Sequence, residues 1–506
     1  MTLLEKEKIA RRTLIWVLVY SIPAFQAMLP VEDPDLWWHL RTGQWIIEHG
    51  RVPMVDSFSA YGMGKPWVAY SWLFEVIISG IHTRFGLVGI VLFTAIMSLL
   101  IAIVLHLLVR RAKLPFTAEM ILMALALGSM KPVISPRSWL FTILFFALEL
   151  LVLLNVRRSG RINLLWVLPP LFAVWANLHI QFIYGLAAMA FFLVEVILSR
   201  ICNPNLGTGA SATLPLARLC GVATACVLAI FLTPYHYRLL QPVFEISAQA
   251  GVFSNVAELQ PLFFRSPADW FILALTIAAV YVLGWERKWL PFPTLLLALG
   301  AVLGFRARRD AWVVVLAATV IISQYQKLMT SDDFFRLTKL RILGIAAAVA
   351  LAIYFIGQYR QISNPHLESH VENHFPAAAV SFIIDHRYPG PLYNHFDWGG
   401  YLIWKLPGLP VSMDGRGNVH GDQRIERSLA TWSGRAGWES DPELVSARLV
   451  VGEVWRPLTS LLRKDPCFRL VYEDSIAAVF IATGRPAGQS QAGARQCVEA
   501  GEAIAK

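Results

Sequence analysis

"GLVGIVLFTAIMSLLIAIVLHLLV", residues 86–109, is apolar over the length that a helix needs to cross a bilayer, roughly 20 residues, and is followed at once by "RRAK" (110–113). The stretch before it, "WVAYSWLFEVIISGIHTRFG" (67–86), is interrupted by Tyr70, Ser71, Glu75 and His82 and reads as an interfacial helix, with the membrane span starting near Gly86. Reading 67–86 as a span as well would place "RRAK" outside the cytoplasm and invert every later loop, against the rule that Lys and Arg collect inside.

Working outward, similar runs recur at 14–30, 117–131, 138–156, 163–177, 181–199, 217–233, 269–284, 289–304, 310–326 and 341–357, giving about eleven spans. With 506 residues, 56% of them hydrophobic and only 15% charged, the chain reads as a polytopic α-helical membrane protein. "EKEKIARR" before the first run resembles the basic region of a secretory signal, but no small-x-small cleavage site follows, so the run is read as the first span. A cytoplasmic N-terminus puts "RRAK", "RRSGR" (157–161), "ERK" (286–288) and "KLRI" (339–342) together on the cytoplasmic side. It places residues 31–85, the turns near 132–137 and 177–181, the loop 234–268, the turn 305–310 and everything after 358 outside. In a bacterial-type cell this is an inner-membrane protein facing the periplasm. The net charge of +10 is then taken up by cytoplasmic loops and anionic headgroups, and implies no nucleic-acid partner. Cys202, Cys220 and Cys226 lie in or beside spans; Cys467 and Cys497 are external and are equally readable as a disulfide or as two separate thiols.

After residue 358 the apolar runs give way to short alternating elements. "AAVSFIIDH" (378–386) reads as helix, "PLYNHF" (391–396) as strand, "GGYLIWKL" (399–406) as helix and "PVSMDG" (410–415) as strand. "RLVVGEVW" (448–455) reads as strand, "LTSLLRK" (458–464) as helix, and "FRLVYED" with "IAAVFIA" as a hairpin. The organisation is therefore a membrane domain over 1–357 with a long first external loop (31–85), a small extracytoplasmic α/β domain over 358–483, and a polar, mobile tail over 484–506. No internal repeat is visible, which disfavours a transporter built from paired halves.

Acids and bases concentrate outside the membrane. "VEDPDLWWHL" (31–40) carries Asp33 and Asp35, with His39 and Arg41 within a helical turn or so, and Asp56 and Glu75 later in the same loop. Asp-x-Asp suits a divalent cation such as Mg²⁺ or Mn²⁺, or a sugar hydroxyl, through hard oxygen ligands. The same residues also suit a polar cap anchored by Trp37 and Trp38 at the membrane interface. Arg306, Arg308 and Arg309 crowd the external turn "GFRARRD" (304–310) on the side where positive charge is disfavoured, and guanidinium groups match phosphate oxygens bidentately. A snorkelling cluster on lipid headgroups is the plainer role for them. Arg137 in "SPRSW" and His179, beside Asn177, in "WANLHIQF" stand near the same face, where headgroup contact or a polar pair bonding across helices would also account for them. "WGGYLIW" and "MDGR" lack the glycine spacing of a phosphate loop. Turns at Gly399, Gly400 and Gly415 suffice, and Asp397, Asp414 and Arg416 are candidates for an acceptor-binding surface.

"DPDLWWHLRTGQWIIEHGRVPMVDSFSAYGMGKPWVAYSWLFEV" (33–76), with "SPRSWLFTILFFAL" (135–148), "WANLHIQFIYGL" (175–186) and "DWGGYLIWKLPGLPVSMDGR" (397–416), resembles the GT-C superfamily of integral membrane glycosyltransferases. The likeness is to bacterial members near the protein mannosyltransferase and lipid A sugar-transferase groups, with an echo of the oligosaccharyltransferase catalytic subunit in Asp-Pro followed by aromatics, His and Arg. The resemblance implies a GT-C-like fold and transfer of a hexosyl or pentosyl group from a polyprenyl-phosphate-linked donor to a lipid, glycan or protein acceptor at the periplasmic face. It also implies inverting displacement, with Asp35 or Asp33 as general base or metal ligand. His39, Arg41, Asp56, Glu75, Arg137, His179, Arg306, Arg308 and Arg309 are then substrate-binding candidates. The competing reading is a non-catalytic lipid-linked glycan transporter or polymer assembly component, which would gather its ionisable groups near mid-bilayer.

Overall fold

A computed structural model describes residues 3–201, 213–248, 256–285, 290–324, 338–486 and 497–499. The "ERK" loop, Cys202, the Cys497 side chain and most of 484–506 lie outside the described residues. The chain divides into two compact units: residues 1–29, 88–239 and 256–362 form one, and residues 30–87, 240–255 and 363–506 the other.

The first unit is helical. Among the described residues of the whole chain, five helices are long and apolar enough to cross a membrane: Trp72–Arg110, Trp139–Ser159, Phe182–Ile201, Pro267–Trp285 and Lys339–Tyr359. Several of the other runs expected as spans form shorter apolar helices, Phe116–Ser129, Ile162–Leu178, Leu216–Ala229 and Pro291–Arg306, so length supports five spans where the hydropathy pattern suggested about eleven. Their packing follows from small residues. An added Cβ at Gly300 would come 2.8 Å from the Val314 backbone and one at Gly304 3.0 Å from that of Ala311, so the helices Pro291–Arg306 and Ala311–Gln324 touch along a small-x-x-x-small seam. Arg157, expected in a cytoplasmic loop, is instead buried in the last turn of Trp139–Ser159. Its Nε and Nη2 donate to Glu195 at 2.6 and 3.1 Å.

The helix Trp72–Arg110 is continuous except at Gly86, whose φ of 64° and ψ of −153° leave helical geometry at the point where the sequence analysis starts the span. Only glycine adopts that combination readily. The Phe85 carbonyl freed by the break accepts a hydrogen bond from Asn364 Nδ2 at 3.1 Å.

The second unit joins residues 30–87 to the C-terminal region. The helix Leu36–His49 ends at Gly50, in the left-handed conformation. Strands β1 (Leu392–Asn394), β2 (Leu449–Glu453), β3 (Phe468–Glu473) and β4 (Ala477–Ala482) form a sheet in the order β1-β2-β4-β3. β1 and β2 are parallel, and β4 is antiparallel to both of its neighbours. β2 is buried along its whole length, from the apolar Leu449, Val450 and Val451 to the carboxylate of Glu453 at its end. Tyr393, Trp432, Leu444, Val450, Leu458 and Phe480 centre the core, and Trp432 stacks on Tyr393 with ring centroids 5.5 Å apart.

"PVSMDG" does not form the expected strand. Val411 makes an isolated bridge to Ser59 of the first loop, while Ser412 N–H donates to the Asn394 side chain at 2.9 Å, so the segment's backbone is satisfied without a ladder. Trp37 and Trp38 are likewise core and not a membrane-interface belt. Both are buried, and Trp37 packs edge-on to Phe375 and Tyr401. Cys467 is disulfide-bonded, and Cys220 and Cys226 are free thiols.

Candidate active site

In the second unit the loop acids separate into two kinds. Asp56 is buried and accepts from Phe58 N–H, Ser59 N–H and Ser59 Oγ. Its Oδ1 also takes Arg416 Nη1 at 2.7 Å. Glu75 is buried with His39, whose Nδ1 lies 3.1 Å from Glu75 Oε1. Arg41 turns along its own helix to Gln44 and Glu48. These four brace the loop. Asp33 and Asp35, by contrast, are only partly buried. Asp33 Oδ1 accepts the Asp35 N–H at 3.0 Å and sets the turn that starts the helix Leu36–His49.

Gly415 reaches this turn from the other end of the sequence. A Cβ there would sit 1.8 Å from Asp35 Oδ1, so only glycine lets the 414–416 backbone pass the carboxylate. Gly415→Ala is expected to displace Asp35 while leaving the sheet intact, costing at least about tenfold in any activity that uses Asp35. Unchanged activity at normal thermal stability would contradict that role for Gly415.

Asp414 and Arg416, candidates for an acceptor-binding surface, are buried. Arg416 donates to both Asp414 oxygens at 2.8 Å and to Asp56, and its guanidinium lies 4.6 Å from the Trp67 ring. Burial alone would raise the Asp414 pKa, but Arg416 and His420 outweigh it and hold the carboxyl well below the usual range. This network fastens the first loop to the C-terminal region.

Asp397, expected in an acceptor-binding surface, lies near enough to Asp35 to feel its charge, and its neighbours His395 and Glu453 were passed over by sequence reasoning. Asp397 is exposed enough to meet solvent, yet local burial, then Glu453, then Asp35 push its pKa up to about 6. His395 Nδ1 stands 3.6 Å from Asp397 Oδ2 and 3.8 Å from Glu453 Oε1. Among the described residues, the sets with metal-ligand proximity are His395, Asp397 and Glu453, and Glu32, His370 and His374. Asp33 and Asp35, expected as the metal pair, belong to neither.

In the first unit a separate cluster gathers three expected substrate-binding residues. Glu258 lies between Arg137 and Arg309, with carboxylate oxygens 3.8 and 3.9 Å from their guanidinium groups. His179 is buried, and burial first, then Arg309 and Arg137, push its pKa down to about 3, keeping the ring neutral. Trp175 Nε1–H donates to Thr142 Oγ1 at 2.9 Å, and that hydroxyl lies 2.8 Å from His179 Nδ1. The hydroxyl thus ties the His179 ring to Trp175 and fixes its orientation. Asp310 is held by Gln181 and Tyr184 at 2.6 and 3.1 Å. Arg306 is exposed, while Arg308 Nε is buried without a hydrogen-bond partner among the described residues. Glu258, Asp310 and Thr142 carry no local sequence signature and were not anticipated.

No protein-family model and no curated protein sequence matches the chain. Solved structures do. The oligosaccharyltransferase of Archaeoglobus fulgidus in its apo form is 13% identical with a TM-score of 0.52, covering 95% of this chain and 75% of that one. The structure of the oligosaccharyltransferase AglB from the same organism, with an inhibitory peptide and a dolichol-phosphate, is 13% identical with a TM-score of 0.50, again covering 95% and 75%. The mycobacterial arabinofuranosyltransferase AftD is 10% identical with a TM-score of 0.52, covering 94% of this chain, which spans 40% of AftD.

Proposed function

We infer from the GT-C glycosyltransferase fold of this chain that it transfers a sugar from a polyprenyl-phosphate-linked donor to a hydroxyl-bearing or amide-bearing acceptor on the non-cytoplasmic face of the membrane. The observation that carries this reading is the division among the first-loop acids: Asp56 and Glu75 are buried in pairs, whereas Asp33 and Asp35 stay partly open to solvent. A general base must be reachable by its substrate, and Asp35 is.

For a hydroxyl acceptor, the oxygen attacks the anomeric carbon while Asp35 takes the hydroxyl proton. The new C–O bond forms, the bond to the lipid phosphate breaks, and polyprenyl phosphate leaves with the electron pair. Negative charge from Asp35 and Asp397 favours the oxocarbenium character that develops on the sugar. Asp33 positions Asp35 through the turn. Within the first unit, Arg137 and Arg309 flank Glu258, and guanidinium groups are the side chains best matched to phosphate oxygens.

The test is transfer by the protein reconstituted in liposomes, using a panel of labelled polyprenyl-phosphate sugars. Release of polyprenyl phosphate coupled to glycosylation of an added acceptor supports the reading; absence of both across the panel counts against it. Arg309→Ala is expected to raise the KM for the lipid donor by about ten- to hundredfold with a smaller change in kcat, equivalent to losing roughly 1.5–3 kcal/mol of charge-assisted hydrogen bonding. An unaltered donor KM would remove Arg309 from phosphate binding.

A further inference from the structure

We propose that His395, Asp397 and Glu453 form a binding site for a first-row divalent cation of the Zn²⁺ or Mn²⁺ class. The three offer one nitrogen and two carboxylate oxygens within 4.8 Å of one another. Their position follows from the topology. His395 comes directly after β1, and Glu453 is the last residue of β2, so the set stands at the carboxyl ends of two parallel strands, where α/β sheets place their ligands.

Two carboxylates and one imidazole share a single nearby cationic side chain, Arg456. His395 is 1% exposed, and the Asp397 N–H points at its Nδ1 from 3.4 Å, which assigns that nitrogen as the lone-pair bearer. Nε2 is buried with no hydrogen-bond partner among the described residues, and the ring meets Trp432 edge-on. The Nδ1 lone pair, held only by that long contact from the Asp397 N–H, lies 3.6 and 3.8 Å from the two carboxylates, so a cation entering between them would displace a weak hydrogen bond and be shared by all three groups. Arg456 supplies one charge, but its Nε is taken by Glu453 Oε2 and its Nη2 comes only to 3.7 Å from Asp397. Glu453 Oε1, the oxygen turned toward His395, has its attraction to Arg456 spent on the other side of the carboxylate. One imidazole and two carboxylates suit Zn²⁺ or Mn²⁺ better than Mg²⁺ or Ca²⁺, which prefer oxygen alone. The site rests on this geometry and not on the transferase reading.

The experiment is isothermal titration of the full-length, chelator-treated protein in detergent with ZnCl₂ and with MnCl₂, alongside thermal melts with and without metal. One equivalent is expected to bind and to raise the melting temperature. His395→Ala and Glu453→Gln should each weaken binding by at least the roughly 10–100-fold that loss of an outer-shell partner costs. His370→Ala, which dismantles the other donor set, should leave that equivalent in place. Binding that survives both His395→Ala and Glu453→Gln, or disappears with His370→Ala, overturns the assignment; so does an absence of binding by either metal. Circular dichroism of Glu453→Gln separates loss of a ligand from loss of fold. Because binding is read directly, a protein that binds the metal but transfers no sugar would reject the transferase reading and keep this one.

Discussion

Asp35→Asn is expected to lower transfer by about 10²–10⁴-fold, the usual contribution of a positioned general base. The substitution keeps the shape of the side chain and removes its ability to take a proton. Because Asp35 is the N-terminal flanking residue of Leu36–His49 and makes no side-chain cap, the helix should survive the change, and the loss should fall on kcat. Asp33→Asn provides the contrast. An asparagine Oδ1 still accepts the Asp35 N–H, so the turn persists and the loss should be smaller, whereas Asp33→Ala removes the acceptor and should approach the Asp35 variant. The measurement is turnover in the liposome assay at saturating donor. Full activity in Asp35→Asn would remove it as the base, and equal losses in both asparagine variants would assign the two acids a joint task.

Arg416→Ala is expected to have the largest effect on stability. It strands Asp56 and Asp414, both buried, without their shared cation, a change that costs about 3–5 kcal/mol in comparable buried pairs. At roughly 2–4 °C per kcal/mol for a unit of this size, the melting transition of the second unit should fall by about 6–20 °C. Arg416→Lys keeps the charge but not the three-way fork and should fall between. The acid response should change sign as well. In the native protein the Asp414 carboxyl is depressed, so its stabilisation is present above the ordinary aspartate value and is lost only as pH falls toward the lower folded value. Without Arg416, burial is opposed by His420 alone, so the Asp414 carboxyl should rise from its depressed value and protonation should relieve the stranded charge as pH drops. In melts between pH 4 and 8 the native protein should show no Asp414-linked loss, which begins only below the ordinary aspartate value, whereas Arg416→Ala should gain stability toward pH 4; matching profiles in the two proteins would contradict the pairing.

Local patterns that recur over a few residues were legible in the sequence. Apolar runs announced a helical membrane protein, and an interrupted stretch against a continuous one located the break at Gly86. Alternation of apolar residues and turn signals recovered β1, β2 and the β3–β4 hairpin. Composition also singled out Asp33, Asp35 and the arginine turn. Two short-range readings went astray for identifiable reasons. Val411 and its neighbours have strand composition but find partners in a loop and a side chain, and Trp37 and Trp38 look like interface anchors but have aromatic neighbours to bury against.

The tertiary structure decided which of these groups are partners. Arg416 and Asp56 are 360 residues apart in the chain, and Glu258 stands far from both Arg137 and Arg309. Residues 30–87 pack into one unit with the C-terminal region, where Gly400 lets the chain pass close to the Pro34 carbonyl and Gly415 close to the Asp35 carboxylate, a property of shape that no periodicity records. The sequence by itself thus determined the helices, the strands and the supply of acids and arginines, since these depend on hydropathy and backbone preference within a few residues. Whether an acid is buried in an ion pair or stays partly exposed was decided only by folding, because burial and electrostatic pairing depend on neighbours that the chain brings together from hundreds of residues away.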